Sequence, residues 1–188
     1  MAFGGTGAAA LVHAFRCQTL RRELQHARYR ATHDPLTGAP NRAAVYDHLQ
    51  RSVERGTALC VAIADVNGLK WINDSFGHAA GDRVLRHVAA RLASAIPGGL
   101  VARLGGDEFV IIMPGDPSAG WSAACRAERA IASQPVPLQG QCCTITASIG
   151  VAATLGKAES PSRLLRRADS AMYVAKRTGV GVSACEAS

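Results

Sequence analysis

The feature that most constrains the fold is a run of apolar residues that ends in an acid. Residues 58–64 are all apolar, and Asp65 follows them directly. A strand with one solvent-exposed face alternates apolar and polar residues, whereas a continuous apolar run of this length predicts a strand that is buried on both faces. We therefore predict that residues 57–65 form a central strand of a sheet.

A second pair of apolar runs flanks Gly105-Gly106 and predicts a hairpin. The favoured two-residue turns need positive φ angles, which glycine adopts without steric cost. Residues 110–113 have the β-branched composition of a buried strand. Asp107 and Glu108 follow the glycines directly, against an otherwise apolar strand. Acids at a hairpin tip can serve solvation alone, so the pair by itself does not establish a site.

The remaining segments predict helices, with one further strand, around these two features. We expect helices over 10–33, 42–55, 68–76, 79–96, 118–133 and 161–177, and a strand over 144–153. The first helix has a weak apolar seam, interrupted by His13, at Ala10, Cys17, Leu20, Leu24, Ala27 and Ala31. We predict a basic helical lead over 1–33, one α+β or α/β domain over 34–182, and a tail over 183–188.

The positive charge is concentrated in the helical lead. The formal net charge is +7, and residues 1–33 hold five arginines against the single acid Glu23. Such a segment could meet nucleic acid, an anionic membrane or an acidic partner. Only Tyr29 lies among the arginines, which disfavours stacking on single-stranded nucleic acid. A solvated helix face is the favoured interpretation, and no nucleic-acid partner is predicted.

The cysteines and the hydropathy favour a reduced, cytoplasmic protein. The six cysteines show no Cys-x-x-Cys and no Cys/His ligand spacing, and Cys60 is predicted to lie in the core. Residues 8–12 are far too short an apolar run to cross a membrane. The N-terminus lacks the features of a signal peptide. Membrane association is possible but has no support in the sequence.

The segment after the central strand has residues suited to a nucleotide. Asp65 stands at the end of the strand, and Gly68 lets backbone approach a bound group. The helix start near residue 69 offers free N–H donors to phosphate, and Lys70 adds positive charge. Carboxylates at Asp65 and Asp107 are the ligands that Mg²⁺ bridged to a triphosphate requires.

Two further residues in this segment are suited to reading a base. Asn73 and Asp82 offer the amide and carboxylate groups that hydrogen-bond a purine edge. Taken singly, Lys70 and Asp74 are equally consistent with plain solvation, and His78 with a helix cap.

Taken together, the motifs resemble one family. The segment Arg103-Leu104-Gly105-Gly106-Asp107-Glu108-Phe109 is similar to the signature loop of the GGDEF family of diguanylate cyclases. The resemblance covers about residues 34–180. It includes Asp34-Pro35-Leu36-Thr37-Gly38 with Pro40-Asn41-Arg42, the stretch 65–82, Ser148-Ile149-Gly150-Val151-Ala152, and residues 168–176 from Ala168-Asp169 to Ala175-Lys176.

The resemblance implies a fold, a reaction and a set of site residues. The fold is a mostly antiparallel sheet wrapped by helices, related to nucleotidyl cyclases and the polymerase palm. The reaction condenses two GTP into cyclic di-GMP and pyrophosphate across a homodimer, with Mg²⁺ as the metal and Mn²⁺ as its alternative. The implied metal ligands are Asp65, the Val66 carbonyl and Asp107. Asp107 is also the implied base, Lys70 stabilises developing charge, and the substrate contacts are Gly68, Leu69, Asn73, His78, Asp82, Gly106 and Lys176.

The chain departs from the family pattern at several positions. Residues 96–99 lack the Arg-x-x-Asp found in members with product inhibition, so feedback through that site is predicted to be absent. Val180 stands where the family usually has a phosphate-binding arginine, which predicts weak GTP affinity or slow turnover. Asn67 and Ala39 are milder changes.

Two other interpretations stay open. The chain can be a weak or inactive GGDEF module that binds GTP or cyclic di-GMP and acts through a partner. It can also be a fragment whose sensor lies elsewhere, since no sensory domain is recognisable. The role of Glu108, the input signal and the function of the lead helix are not predicted by the sequence.

Overall fold

The structure, a computed structural model, describes residues 5–154 and 159–185, with side chains from residue 15 onward. The helices are α1 (Gly5–Thr32), α2 (Arg42–Glu54), α3 (Leu69–Phe76), α4 (His78–Ala95), α5 (Pro117–Ala132) and α6 (Pro161–Thr178). The strands are β1 (Leu59–Val66), β2 (Leu100–Gly105), β3 (Glu108–Pro114), β4 (Val136–Leu138), β5 (Gln141–Cys143), β6 (Ala147–Thr154) and β7 (Val182–Ala184).

Five strands form one sheet in the order β2-β3-β1-β6-β7. Every neighbouring pair is antiparallel except β6 and β7, which are parallel. All eight residues of β1 are buried, as its continuous apolar pattern predicts. The central strand and the mostly antiparallel α+β fold are therefore confirmed.

Helices cover both faces of the sheet. On one face, side chains of α3, α4 and α5 pack against even-numbered residues of β1 such as Ala62 and Ala64. On the other face, α2 and α6 pack against odd-numbered residues such as Val61 and Ile63. Because successive side chains of a strand point to opposite faces, both sets of β1 residues must be apolar.

Helix α6 approaches the sheet closely at Gly150 of β6. A Cβ atom at this position would collide with backbone atoms of Ala168, Ala171 and Met172 in α6. The absence of a side chain lets α6 lie directly on the strand. This contact fixes the height of α6 above β1, and with it the position of Lys176 near the helix end.

The structure adds three short strands that the sequence pattern did not predict. β4 and β5 form a separate hairpin, and β7 pairs with β6 at the edge of the sheet. The prediction of a tail over 183–188 is therefore wrong at its start, because Ser183 and Ala184 belong to β7; residues 186–188 lie outside the described residues. The strand expected over 144–153 begins at Ala147. Cys60 is buried, as predicted.

The lead helix α1 stands apart from the two packed layers. Its large apolar side chains are exposed, including Leu20 at 63% and Leu24 at 52%. The side chains of Ala10, which begins the predicted seam, and of His13, which interrupts it, lie outside the described residues. Within the described chain, no helix has the length and apolar character needed to cross a membrane.

The contact at Gly150 generates a stability prediction. We expect Gly150→Ala to lower the free energy of unfolding by at least about 2 kcal/mol, because backbone atoms of α6 cannot give way as a side chain can. Urea denaturation followed by circular dichroism measures the change.

Gly181→Ala is the matched control for this variant. The three atoms nearest to a Cβ there all belong to the flexible Glu128 side chain, at 3.0–3.1 Å, and we expect a change within about 0.5 kcal/mol. Equal effects of the two substitutions would contradict the packing argument.

Candidate active site

The three predicted metal ligands converge at one end of β1 and β3. The Val66 N–H donates to the Asp107 carbonyl oxygen at 3.1 Å, so the chain after β1 lies beside the signature turn. Asp65 stands directly opposite Glu108 in the antiparallel pairing. The sheet thus brings Asp65, Val66 and Asp107 together, although they are far apart in sequence.

Asp65 is a buried carboxylate with a lysine as its partner. Its exposed fraction is 7%, and Lys176 Nζ of α6 donates to Asp65 Oδ1 at 2.8 Å. This hydrogen bond raises the pKa of Lys176 against the opposing effect of burial. A buried carboxylate needs a positive charge beside it, and Lys176 supplies that charge to Asp65. A metal cation bound to Asp65 would supply positive charge in the same way.

The donor set at this end of the sheet consists of oxygen atoms only. Among the described residues, no group of three or more His, Cys, Asp or Glu side chains is arranged to hold a metal ion. Two carboxylates and a backbone carbonyl form only part of a coordination shell. This partial set fits Mg²⁺, which commonly takes one or two protein carboxylates and completes its shell with phosphate oxygens and water.

Glu108 lies in the most acidic part of the site. Burial raises its pKa, and the negative charges of Asp169, Asp107 and Asp65 raise it further, while Arg42 opposes the shift. Like charges opposite each other on a sheet repel, and the cross-strand position of Asp65 explains its part in raising the pKa of Glu108.

The signature turn is held by Arg103 and lies one residue later than predicted, at Gly106-Asp107, because Gly105 ends β2 and pairs with Glu108. Gly105 and Gly106 have φ angles of 140° and 54°, both in the range that favours glycine. The Arg103 guanidinium donates to the Gly106 carbonyl oxygen from Nε at 3.1 Å and from Nη2 at 2.7 Å. Its Nη1 pairs with both carboxylate oxygens of Asp34, at 3.0 and 3.1 Å.

Asp34 is the anchor at the other end of this contact. Burial alone would raise its pKa, but hydrogen bonds from Thr37 and the pairing with Arg103 outweigh burial, so the pKa lies below the ordinary value of 3.8. The Arg103 and Asp34 side chains are only 11% and 17% exposed. The junction after α1 is therefore tied directly to the signature turn.

The start of α3 matches the predicted phosphate-binding segment in its backbone. Gly68 caps the helix with a φ angle of 74°, and no atom lies within 4 Å of the position where a Cβ would stand. The first N–H groups of a helix have no partner within it and are available to an anion. Leu69 is buried as an anchor, whereas Lys70 is exposed.

The predicted base-reading residues meet where α3 crosses α4. A Cβ at Gly81 would collide with Oδ1 of Asn73, so the glycine makes room for this side chain beside Asp82. Asp82 is half-buried, and its carboxylate lies 4.0 Å from the Arg86 guanidinium. His78 begins α4 and is exposed. Within the described residues, no hydrogen bond or ion pair connects Lys70 or His78 to the carboxylates at the end of β1.

Sequence reasoning missed two residues that shape this region. It gave Arg103 no role, although the arginine lies inside the signature motif. It also overlooked Gln139 at the tip of the β4–β5 hairpin, whose Nε2 donates to the Phe76 carbonyl oxygen at 3.0 Å. Gln139 has a φ angle of 47°, and the Gln139-Gly140 pair before Gln141 was the only local signal for this turn.

Comparison with known proteins assigns the family. Residues 31–181 match the family described as "Diguanylate cyclase, GGDEF domain". The chain belongs to the GGDEF family. It is similar to the diguanylate cyclase DgcP of Pseudomonas aeruginosa, at 41% identity over 83% of this chain and 24% of that protein. It is also similar to the response regulator PleD of Caulobacter vibrioides, at 39% identity over 85% of this chain and 37% of PleD.

A solved structure has the same architecture as this GGDEF chain. The coiled coil and GGDEF domain of DgcB from Caulobacter crescentus, in complex with c-di-GMP, matches with a TM-score of 0.84 and 31% identity. The match covers 95% of this chain and 98% of that one. By contrast, the chain spans only about a quarter to slightly more than a third of the length of DgcP and PleD.

The Asp34–Arg103 pair generates a prediction about pH. A carboxylate with a lowered pKa stabilises the fold above its unfolded pKa, and this stabilisation is lost as pH falls through the folded pKa. We expect Asp34→Asn to lower the free energy of unfolding at pH 7 by about 1–3 kcal/mol. The difference from wild type should shrink as pH falls from about 5 toward 3.

Asp47→Asn is the control for this measurement. Asp47 also pairs with an arginine, Arg51, but its side chain is 67% exposed, so its removal should change stability by less than about 1 kcal/mol. Urea titrations at pH 7 and at about pH 3 give the free energies of unfolding of the variants and of wild type. A constant difference between Asp34→Asn and wild type would contradict the assigned pKa shift.

Proposed function

We propose that this chain is a diguanylate cyclase that condenses two GTP into cyclic di-GMP with release of two pyrophosphates. The observation that carries the proposal is the backbone contact that places Asp107 beside Val66, the residue after the buried Asp65, at an open glycine turn. Membership of the GGDEF family and the similarity to named diguanylate cyclases support it.

Each residue has a proposed part in binding GTP. Asn73 and Asp82 read the guanine edge, with His78 beside them at the start of α4. The backbone at Gly68 and Leu69, with Lys176, holds the triphosphate, and Gly106 leaves space for it. Asp82 suits guanine because a carboxylate accepts from both N–H donors of the guanine Watson–Crick edge.

The carboxylates are proposed to hold the metal ion and to accept a proton. Asp65, Asp107 and the Val66 carbonyl would hold Mg²⁺, which neutralises phosphate charge when bound. Asp107 accepts the proton of the attacking 3′-hydroxyl, and Lys70 stabilises the charge that develops on the phosphates. Lys176 would exchange its contact with Asp65 for a contact with phosphate, because the cation then supplies the counter-charge to Asp65.

The reaction requires two chains to face each other, and α1 is the proposed pairing element. One domain holds one GTP, so the second must come from another domain. The α1 seam at Cys17, Leu20 and Leu24 has the three- and four-residue spacing of a coiled coil. Its leucines are exposed in the single chain, and a long helix without tertiary cover gains stability by pairing.

The first prediction for this function concerns turnover. Purified protein with GTP and Mg²⁺ should form cyclic di-GMP and pyrophosphate, measured by chromatography. Asp107→Ala should reduce the rate at least about a hundredfold, because it removes the base and a metal ligand. Asp74→Ala, which removes an exposed acid from α3, should keep the wild-type rate.

The same assay tests the need for two domains. The rate per chain should rise with protein concentration until pairing is complete, and a constant rate from a monomer would overturn the two-domain mechanism. Failure to form product at high concentration, with GTP still bound, would favour the second candidate function. That candidate is a binding module, which is favoured by exposed Val180 in place of an arginine.

A further prediction concerns Gln139. Its hydrogen bond to the Phe76 carbonyl, with the Arg83 Nη1 contact to the Pro137 carbonyl at 3.0 Å, fixes the β4–β5 hairpin against the α3–α4 corner. We expect Gln139→Ala to raise KM for GTP about three- to tenfold and leave kcat within about twofold, since one hydrogen bond contributes roughly 1 kcal/mol.

Gln141→Ala is the matched control, because Gln141 lies on the same hairpin and is exposed. It should leave both constants unchanged. If Gln139→Ala lowers kcat and leaves KM unchanged, the result would contradict a role of Gln139 in positioning the α3–α4 corner, which carries Asn73 and Asp82.

A further inference from the structure

A short polar cluster connects the end of β1 to the start of β6. It consists of Asn67, Thr146 and Ser148, and none of the three has a part in the proposed reaction. Ser148 Oγ donates to Asn67 Oδ1 at 3.1 Å, and Asn67 Nδ2 donates to Thr146 Oγ1 at 3.1 Å. One amide therefore joins two hydroxyl groups, and we call these two contacts the Asn67 bridge.

The Asn67 bridge lies beside the buried carboxylate of Asp65. Ser148 stands directly opposite Asp65 in the antiparallel pairing of β1 and β6, and it is only 5% exposed. Residues that stand opposite each other in a sheet direct their side chains to the same face. Because Ser148 bonds to Asn67, the amide lies on this face as well, next to the side chain of Asp65.

The backbone of Asn67 sets the direction of the Val66 carbonyl. The Asn67 N–H donates to the Thr146 carbonyl oxygen at 2.9 Å, on the side of β6. This N–H and the Val66 carbonyl belong to one planar trans peptide group, so they point in opposite directions. The Val66 carbonyl is thus directed away from β6 and toward β3, where the Val66 N–H meets the Asp107 carbonyl oxygen.

The side-chain bonds matter because the chain turns immediately after this peptide group. Gly68 follows with a φ angle of 74° and caps α3 without a side-chain hydrogen bond. Glycine has little conformational preference, so it does not restrain the peptide group before it. The two bonds of the Asn67 bridge add to the single backbone bond from Asn67 to Thr146 and hold β1 against β6 up to the turn.

An amide suits this position better than a charged side chain. It offers an acceptor to Ser148 and a donor to Thr146 at the same time. A carboxylate could also meet both residues, because each hydroxyl group can rotate to donate to it. It would, however, add a negative charge near Asp65, Asp107 and Glu108, where like charges already raise the pKa of Glu108.

We propose that Asn67 is a positioning residue for the proposed metal site. It acts through the Val66 carbonyl, because the Asn67 bridge holds the peptide group that directs this carbonyl toward Asp107. Groups that orient a metal ligand without touching the metal typically change metal affinity or activity roughly 10- to 100-fold when they are removed. The inference rests on the proposed function for the use of this carbonyl as a ligand.

Metal binding without turnover tests this role. Mn²⁺ alone is titrated into the full chain in the absence of GTP, and the unbound ion is measured by electron paramagnetic resonance. Asn67→Ala should bind Mn²⁺ about tenfold more weakly than wild type, because it removes both bonds of the bridge. Thr146→Ala removes one bond and should weaken binding about threefold. Circular dichroism establishes that each variant is folded.

Two further variants are the controls. Thr144→Ala is matched to Thr146→Ala, because Thr144 is also exposed and lies two residues earlier in the same segment. It should keep wild-type Mn²⁺ binding. Asn67→Asp can accept from both hydroxyl groups and should bind Mn²⁺ at least as tightly as wild type. If Asn67→Ala does not fold, the comparison of Thr146→Ala with Thr144→Ala decides.

Equal Mn²⁺ affinity of wild type and Asn67→Ala would overturn the inference. A role in stability alone would lower the free energy of unfolding of Asn67→Ala and leave its Mn²⁺ affinity unchanged. Binding in Asn67→Asp that is as weak as in Asn67→Ala would contradict the hydrogen-bonding argument. Absence of Mn²⁺ binding to wild type would also overturn the inference, because the Val66 carbonyl would then not belong to a preformed metal site.

The cyclase assay separates this inference from the proposed function. If wild type forms no cyclic di-GMP but Asn67→Ala still binds Mn²⁺ more weakly, the proposed reaction is wrong and the role of Asn67 stands. If wild type forms the product and Asn67→Ala matches it in both Mn²⁺ affinity and rate, the reaction stands and the positioning role is wrong.

Discussion

The arrangement of the site depends on a carboxylate that ends a fully buried strand. Asp65 leaves water when β1 becomes the centre of the sheet, and a buried charge of this kind is costly unless it is paired. Lys176 provides the pair, but only because Gly150 lets α6 lie directly on the neighbouring strand. The close packing of α6 on Gly150 thus decides whether the Asp65 carboxylate has a positive partner. A cation and a triphosphate would meet a site that already contains compensated charge.

The signature turn depends on a second pair, and this pair reaches back to the end of α1. Arg103 holds the Gly106 carbonyl with one side of its guanidinium and Asp34 with the other. A turn of two glycines has little conformational preference of its own, since glycine loses more entropy on ordering than any other residue. The fork of Arg103 restricts this freedom without placing a side chain in the space above the glycines. A rotation of the lead helix relative to the domain would act on the turn through the same contact.

Most of the fold followed from sequence patterns, because the long elements have strong periodicity and clear caps. The buried β1 and the hairpin around Gly105-Gly106 are both present as expected. The sequence patterns did not predict β4, β5 and β7. Each of these strands has three residues, which is too short for an alternation of apolar and polar residues to be recognised. The approach of Asn73 to Gly81 and the link from Gln139 to Phe76 were also not predictable. They are contacts between elements, and no local pattern specifies the angle at which two helices cross.

The two consecutive acids of the signature have different positions in the hairpin. In β3, Glu108 shares its face with Val110 and Ile112, which pack against the layer of α2 and α6. Asp107 precedes the strand, in the turn where its carbonyl meets Val66. Because a strand alternates its side chains, the residue after a metal-binding position is directed by the pleat toward whatever covers that face. Asp65 faces the same layer directly opposite Glu108, so the positive charge of Lys176 acts on both carboxylates.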